Sequence, residues 1–289
     1  MKMANKADNK PKIVSIVGLT ASGKSGLGIK LAQEFGGEIV SCDSRQVYKG
    51  LDIGTAKVTA EEQALVKHWL IDIVEPRRCK AAESAKQSYT NCGTGIYNVF
   101  EFQRAAYAAI DDILARGRVP FLVGGSGLYS RSIVDGYEFD AVTRSGSDAV
   151  ILNGSEIRGN VKSKTGSPCF NVLQICLLPS REYIRGPVEQ RIDQRLGQGM
   201  IEETRELIKQ GVNKDFLQAL GLEYYWNVEY IEGRVTKEQY KKNLATKTMQ
   251  FAKRQRTWFK KERAEITHYL TDPEGFYEET KKLISLFLI

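Results

Sequence analysis

Gly18, Leu19, Thr20, Ala21, Ser22, Gly23, Lys24 and Ser25 fit the pattern G-x-x-x-x-G-K-S without exception. In such a loop the glycines let successive backbone N–H groups curl around phosphate oxygens, and a following helix adds partial positive charge at its N-terminus. Lys24 would bring a full charge to the terminal phosphate, and Ser25 a hydroxyl to Mg²⁺. The loop alone specifies a diphosphate or triphosphate, not the reaction. A second chemical group is Asp43, which follows a short apolar stretch. A carboxylate there could take a proton from an attacking nucleophile or help hold Mg²⁺; capping a turn is the equal alternative. A nucleotide-hydrolysing switch needs an acid at a strand end. Asp72 is the best strand-borne candidate, but it falls mid-strand, where a structural role suits it better. A small-molecule kinase remains open on the loop alone.

Alternating strands and helices must hold these groups. Residues 12–17 read as a buried strand running into the loop, with a helix from the loop to about residue 35. Residues 38–42, 69–74, 119–123 and 171–178 read as further strands. In a parallel sheet, strand ends share one edge with the phosphate loop, which would bring Asp43 toward the transferring group. Val99, Phe102, Ala106, Ala109, Ile110, Ile113 and Leu114 recur at helical spacing, and Gly117 closes that helix. The expected class is α/β: a P-loop NTPase-like parallel sheet flanked by helices, a reduced insertion region and a helical C-terminal part. That part runs from residue 181 to about 263, with breaks expected at Gly186–Pro187, Gly211, Gly221 and Gly233. Residues 77–95 and 141–167 are polar, without period, and read as long loops. The organisation is a polar tail at 1–11, a core at 12–135 and 168–289, and a shortened insertion at 136–167.

With 42% apolar and 27% charged residues the chain is composed like an ordinary globular protein, and no apolar run approaches the length that crosses a bilayer. The start is Lys-rich and lacks the apolar segment of a secretory signal, so a cytoplasmic protein is expected. Cys42, Cys79, Cys92, Cys169 and Cys176 are odd in number and have no C-x-x-C spacing. With only His68 and His268 beside them, free thiols are expected rather than a zinc site. Residues 234–263 hold eleven Lys or Arg against two Glu, a net of +9, which exceeds the +7 of the whole chain. The positive charge is therefore localised. Phe251, Trp258 and Phe259 interleave with it, and cations for phosphates with aromatic faces for unstacked bases are the means of RNA recognition.

Five blocks in order resemble the tRNA dimethylallyltransferase family: the phosphate loop itself; residues 43–57, DSRQVYKGLDIGTAK; residues 68–76, HWLIDIVEP; residues 123–129, VGGSGLY; and residues 252–259, AKRQRTWF. The resemblance implies prenyl transfer from dimethylallyl diphosphate to N6 of adenine 37 beside a tRNA anticodon, releasing pyrophosphate. Asp43 would be the general base. Lys24 and Ser25 would bind the diphosphate and its Mg²⁺, and Thr20 and Ser126 would line the reaction channel. Asp43, Ser44, Arg45 and Gln46 would contact tRNA, as would Lys253, Arg254, Gln255, Arg256, Thr257, Trp258, Phe259 and Lys260. The expected partners are the tRNA anticodon stem-loop, dimethylallyl diphosphate and Mg²⁺, with no membrane and the chain acting as a monomer. Ser126 stands where the family carries Thr. The family's helical insertion after GGSGLY is not recognisable in residues 136–167, and residues 77–95 look like extra sequence. An adenylate isopentenyltransferase shares the loop and the chemistry, and a non-catalytic RNA-binding remnant would keep the loop without turnover.

Overall fold

The four central strands of the sheet are buried almost throughout, as a parallel sheet covered by helices requires. In a computed structural model, which describes residues 10–76, 97–138, 164–165 and 168–289, six strands form one parallel sheet. They are β1 (Lys12–Gly18), β2 (Gly37–Ser41), β3 (His68–Trp69), β4 (Val119–Gly124), β7 (Asn171–Leu177) and β8 (Thr267–Leu270), in the order β3-β2-β4-β1-β7-β8. The period of two sorts the side chains. Ile13, Val40, Leu122 and Val172 pack on one face, under α3 (Val99–Ala115) and α4 (Gly127–Val134). Val14, Ile16, Phe121, Val123 and Ile175 pack on the other, under α1 (Lys24–Glu34) and α10 (Phe276–Leu288). A short antiparallel pair, β5 (Tyr137–Glu138) with β6 (Lys164–Thr165), lies near the two ends of the 136–167 insertion.

The C-terminal part is helical, as expected: α5 (Arg181–Gly197), α6 (Met200–Lys209), α7 (Lys214–Leu220), α8 (Leu222–Ile231) and α9 (Lys237–Phe259). Thr59, Asn98 and Thr236 start α2 (Ala60–Leu65), α3 and α9 through reciprocal capping boxes. The loop after β2 is not free. Val47, Tyr48 and Leu51 pack into one core with Leu207, Phe216, Leu217, Leu220 and Tyr224 of α6 to α8.

Three expectations need correction. The strand expected at residues 69–74 ends at Trp69. Leu70 (φ 64°) and Asp72 (φ 55°) are left-handed, and the amides of Asp72, Ile73 and Val74 turn to the carbonyls of Gln46 and Val47. Asp72 is therefore in a turn, where it pairs with Lys57. The helix does not break at Gly186–Pro187. Gly186 has no Cβ to clash with the proline ring, and α5 continues to Gly197, giving way at Gly199 (φ 93°). Beyond residue 263 the chain adds β8 to the sheet edge and α10 to its face, neither of which the sequence reading anticipated. Residues 77–95 and most of 1–11 and 136–167 lie outside the described residues, as do Cys79 and Cys92. Cys42, Cys169 and Cys176 are free thiols. Among the described residues no helix is long and apolar enough to cross a membrane.

Candidate active site

Because β1, β2 and β4 are parallel neighbours, their C-terminal ends deliver three loops to one edge of the sheet. These are the phosphate loop, the loop that begins at Asp43, and the Gly125–Ser126 turn into α4. Hydrogen bonds knit the three together. Ser126 Oγ accepts from the Ser44 amide at 3.1 Å, and the Ser126 amide donates to the Cys42 carbonyl at 3.1 Å. Gln255 of α9 accepts from the Thr20 amide at 2.8 Å and donates to the Gly125 carbonyl at 2.9 Å, so one buried carboxamide ties the phosphate loop to the turn.

The phosphate loop carries left-handed residues at Ala21 (φ 59°) and Gly23 (φ 82°). For Ala21 that conformation costs on the order of 1 kcal/mol, the kind of strain retained where a backbone is shaped for a ligand. Lys24 folds back to donate to the Leu19 carbonyl at 3.1 Å. Burial, reinforced by Arg191, lowers its ammonium to about 8, with Asp43 partly opposing them. The Ser22 hydroxyl is buried with no partner among the described residues, and the Ser25 side chain sits exposed at the start of α1. Asp43 is half-buried, with Oδ1 accepting from the Arg45 amide at 2.9 Å, and it lies within electrostatic reach of both Lys24 and Arg191.

Arg191 is the residue the sequence reading missed. It projects from α5 and donates to Thr20 Oγ1 at 2.6 Å. Burial and the neighbouring Arg195 charge pull its guanidinium down to about 9, still cationic at neutral pH. Behind it, Glu223 accepts from Arg195 at 2.7 Å and from Arg45 at 2.7 Å. Burial pushes the Glu223 carboxyl up, but Arg45, Arg195 and Arg191 outweigh it and hold the group at about 2. Glu203 of α6 accepts from the amides of Asp52 (2.9 Å), Ile53 (2.6 Å) and Gly54 (3.1 Å), docking the far end of the same loop. The available signal was Arg191 and Arg195 four residues apart, one helical face, in a stretch otherwise read only as helix.

The basic block on α9 divides by helical phase. Lys253, Arg254, Thr257 and Lys260 are exposed. Ala252, Gln255 and Phe259 are buried, and Arg256 donates to the carbonyls of Leu178 and Pro179. Gln46 is also buried, donating to the Ala56 carbonyl at 3.0 Å. A cavity of about 630 Å³ opens on the outer side of α9 among Arg131, Lys253, Arg254, Thr257, Trp258 and Lys261. Arg131 lies over the Trp258 ring at 4.7 Å, and that ring rests on Gly127, where any side chain would collide with it. Of the expected site residues, Gly18 to Ser25, Asp43, Ser44, Arg45, Gln46, Ser126 and Gln255 converge on one sheet edge, and the exposed cations of α9 border it.

The oxygen donors here, the Ser25 hydroxyl and the Asp43 carboxylate, suit a hard cation. No group of three or more His, Cys, Asp or Glu that could hold a metal occurs among the described residues. That donor set fits Mg²⁺ held chiefly by a substrate's phosphates, the usual mode for this ion.

A sequence model described as IPP transferase matches residues 46–158 and 148–262, two stretches that overlap within the segment read as a shortened insertion. A tRNA dimethylallyltransferase of Caldicellulosiruptor saccharolyticus is 35% identical over 86% of this chain and 89% of its own. One from Streptococcus uberis is 35% identical over 96% of this chain and 97% of its own. Among solved structures, the full-length tRNA isopentenylpyrophosphate transferase of Bacillus halodurans superposes with a TM-score of 0.75 at 29% identity, covering 96% of this chain and 97% of that one. A family model that matches more than half of the chain, together with relatives 35% identical along most of its length, places the chain in the IPP transferase family.

Proposed function

We propose that this chain transfers a dimethylallyl group from dimethylallyl diphosphate to N6 of adenine 37 beside a tRNA anticodon, releasing pyrophosphate. The observation that carries the reading is Asp43, held between the phosphate loop and the Ser126 turn within electrostatic reach of Lys24 and Arg191. In the transfer, a bond forms between N6 and the allylic carbon while that carbon's bond to the diphosphate oxygen breaks. The N6 proton passes to the Asp43 carboxylate, and the electron pair of the broken bond leaves on pyrophosphate. Lys24, Arg191, the loop amides and the Ser22 hydroxyl stabilise the charge that builds on the leaving group. Bound Mg²⁺, held by Ser25 and the diphosphate, would add further neutralisation of that charge. Thr20, a loop residue oriented by Arg191 and Gln255, would line the channel in which the carbon reacts.

The adenine must leave its stack to reach this edge, at a cost of a few kcal/mol. Lys253, Arg254, Thr257 and Lys260, with Arg131 and Trp258, offer phosphate contacts and a stacking face that offset it. The named relatives act on tRNA, and the cationic face of α9 suits a polynucleotide better than a free nucleotide. The test is incubation with dimethylallyl diphosphate, Mg²⁺ and either unmodified tRNA or AMP, followed by nucleoside mass analysis. Prenylated adenosine from tRNA, with pyrophosphate, is the expected product. Product from AMP alone would contradict the proposal, as would ADP formed in a parallel incubation with ATP and AMP.

A further inference from the structure

Two charged side chains of the site do not face the reaction at all. Arg45, two residues beyond Asp43, turns its guanidinium away onto Glu223, and Arg195, one helical turn beyond Arg191, does the same from the opposite side. Both contacts are 2.7 Å, and the Glu223 side chain is 3% exposed. One carboxylate thus braces two elements: the loop that carries the proposed base, and the helix that carries the leaving-group arginine; Arg195 adds a longer contact of 3.4 Å to the Gly54 carbonyl at the far end of that loop. Arg45 is also tethered to Asp43 by its own amide at 2.9 Å, so its guanidinium has a second anion close at hand.

We propose that Glu223 is a positioning residue for prenyl transfer: by engaging Arg45 and Arg195 together it fixes Asp43 relative to Arg191 and keeps the Arg45 guanidinium from closing on the Asp43 carboxylate. This rests on the transfer reaction proposed above. Without the Glu223 charge, Arg45 is released beside Asp43, and an ion pair there would occupy the lone pairs that must accept the adenine proton. Arg195 loses its counter-anion at the same time, so its positive charge stands uncompensated behind the phosphate loop. The consequence is asymmetric. Chemistry suffers, while the attraction for a diphosphate is retained or strengthened. A residue that merely stabilised the fold would not separate these two effects.

The experiment uses the full chain with Glu223→Gln, Glu223→Asp, and Glu223→Gln combined with Arg45→Met. Three readouts are taken: thermal unfolding, inorganic pyrophosphate affinity by calorimetry, and single-turnover prenylation of tRNA at saturating substrates. Glu223→Gln should lower the single-turnover rate by about 100-fold, the loss expected from a displacement of about 1 Å in a reacting group. Pyrophosphate affinity should be equal or tighter. Adding Arg45→Met should recover about tenfold of the rate, because the released cation is gone. If the Gln variant does not fold, Glu223→Asp, whose shorter reach cannot span both arginines, should show the same split between rate and binding. A Glu223→Gln rate equal to wild type overturns the inference. So does parallel loss of stability, rate and pyrophosphate binding with no recovery in the double variant. If the wild-type chain prenylates no adenosine in tRNA, the proposed reaction fails and the role of Glu223 in it falls too; an active wild type with an equally active variant overturns only the latter.

Discussion

Gln255 was expected from its sequence block to touch RNA, and the structure turns it inward instead. The residue is 6% exposed, and its carboxamide bridges the Thr20 amide and the Gly125 carbonyl. Gln255→Leu keeps most of the volume and removes both hydrogen bonds. Each group left without a partner costs about 1–3 kcal/mol, and the half-exposed Gly125 carbonyl falls at the lower end, giving a loss of roughly 2–4 kcal/mol. At about 2–4 °C per kcal/mol for a chain of this size, the unfolding midpoint should fall by roughly 5–15 °C. Freed of its tether at Thr20, the phosphate loop should also bind pyrophosphate more weakly. Gln255→Glu separates the two consequences. It keeps the acceptor for Thr20 but places a carboxylate near Lys24, whose Nζ lies 3.5 Å from where a Cβ on Gly125 would stand. That carboxylate draws Lys24 from the ligand, so the Glu variant should be the more stable of the two and yet bind pyrophosphate poorly. Scanning calorimetry and titration calorimetry give both numbers. A Leu variant that unfolds and binds pyrophosphate as wild type does, while losing only RNA affinity, would refute the bridge and restore Gln255 to the RNA face.

Lys24, lowered by burial to about 8, loses its proton as pH rises, so metal-free pyrophosphate binding should weaken between pH 7 and 9. The cationic fraction falls from about 90% to about 9% over that range, roughly tenfold; Lys24→Arg, which does not titrate there, should lack that component, and equal slopes in the two proteins would contradict it. Glu223 is held at about 2, below the roughly 4.3 of an unfolded chain, so its contribution to stability is complete above that unfolded value and is lost as pH falls toward 2. Denaturant titrations from pH 6 to 2 should show about 3 kcal/mol more acid loss in wild type than in Glu223→Gln, and parallel curves would argue against the pairing. Gly127→Ala drives a methyl group into the Trp258 indole, an overpacking worth about 1–3 kcal/mol. It should lower tRNA affinity and shift tryptophan emission; an unchanged spectrum would mean that the ring does not rest there.

The four central strands were legible because they are near-continuous buried runs, and the phosphate loop because a strand and a helix bracket its glycines. The residues 69–74 misled because an apolar composition does not reveal two left-handed residues, which here serve to pair that segment with Val47. A helix was readable in α9, but a block of consecutive residues cannot all face RNA from a helix: at 3.6 residues per turn Ala252, Gln255 and Phe259 must point inward when Lys253, Arg254 and Thr257 point out. The Arg45–Glu223–Arg195 cluster was hidden for another reason. Its members are 178 and 28 positions apart, and only tertiary packing turns them from surface-like charges into a buried set. β8 and α10 lie beyond the basic block that drew the sequence reading, and neither carries a chemical motif.

The proposal that Asp43 accepts the adenine proton is tested most directly by Asp43→Asn, which keeps size and hydrogen-bonding reach and removes the basic lone pairs. Single-turnover prenylation of tRNA should fall by about 10²–10⁴-fold, with pyrophosphate and tRNA affinities kept. A variant that prenylates at close to the wild-type rate would contradict the assignment of the base, and with it the reading of this sheet edge as the place where transfer occurs.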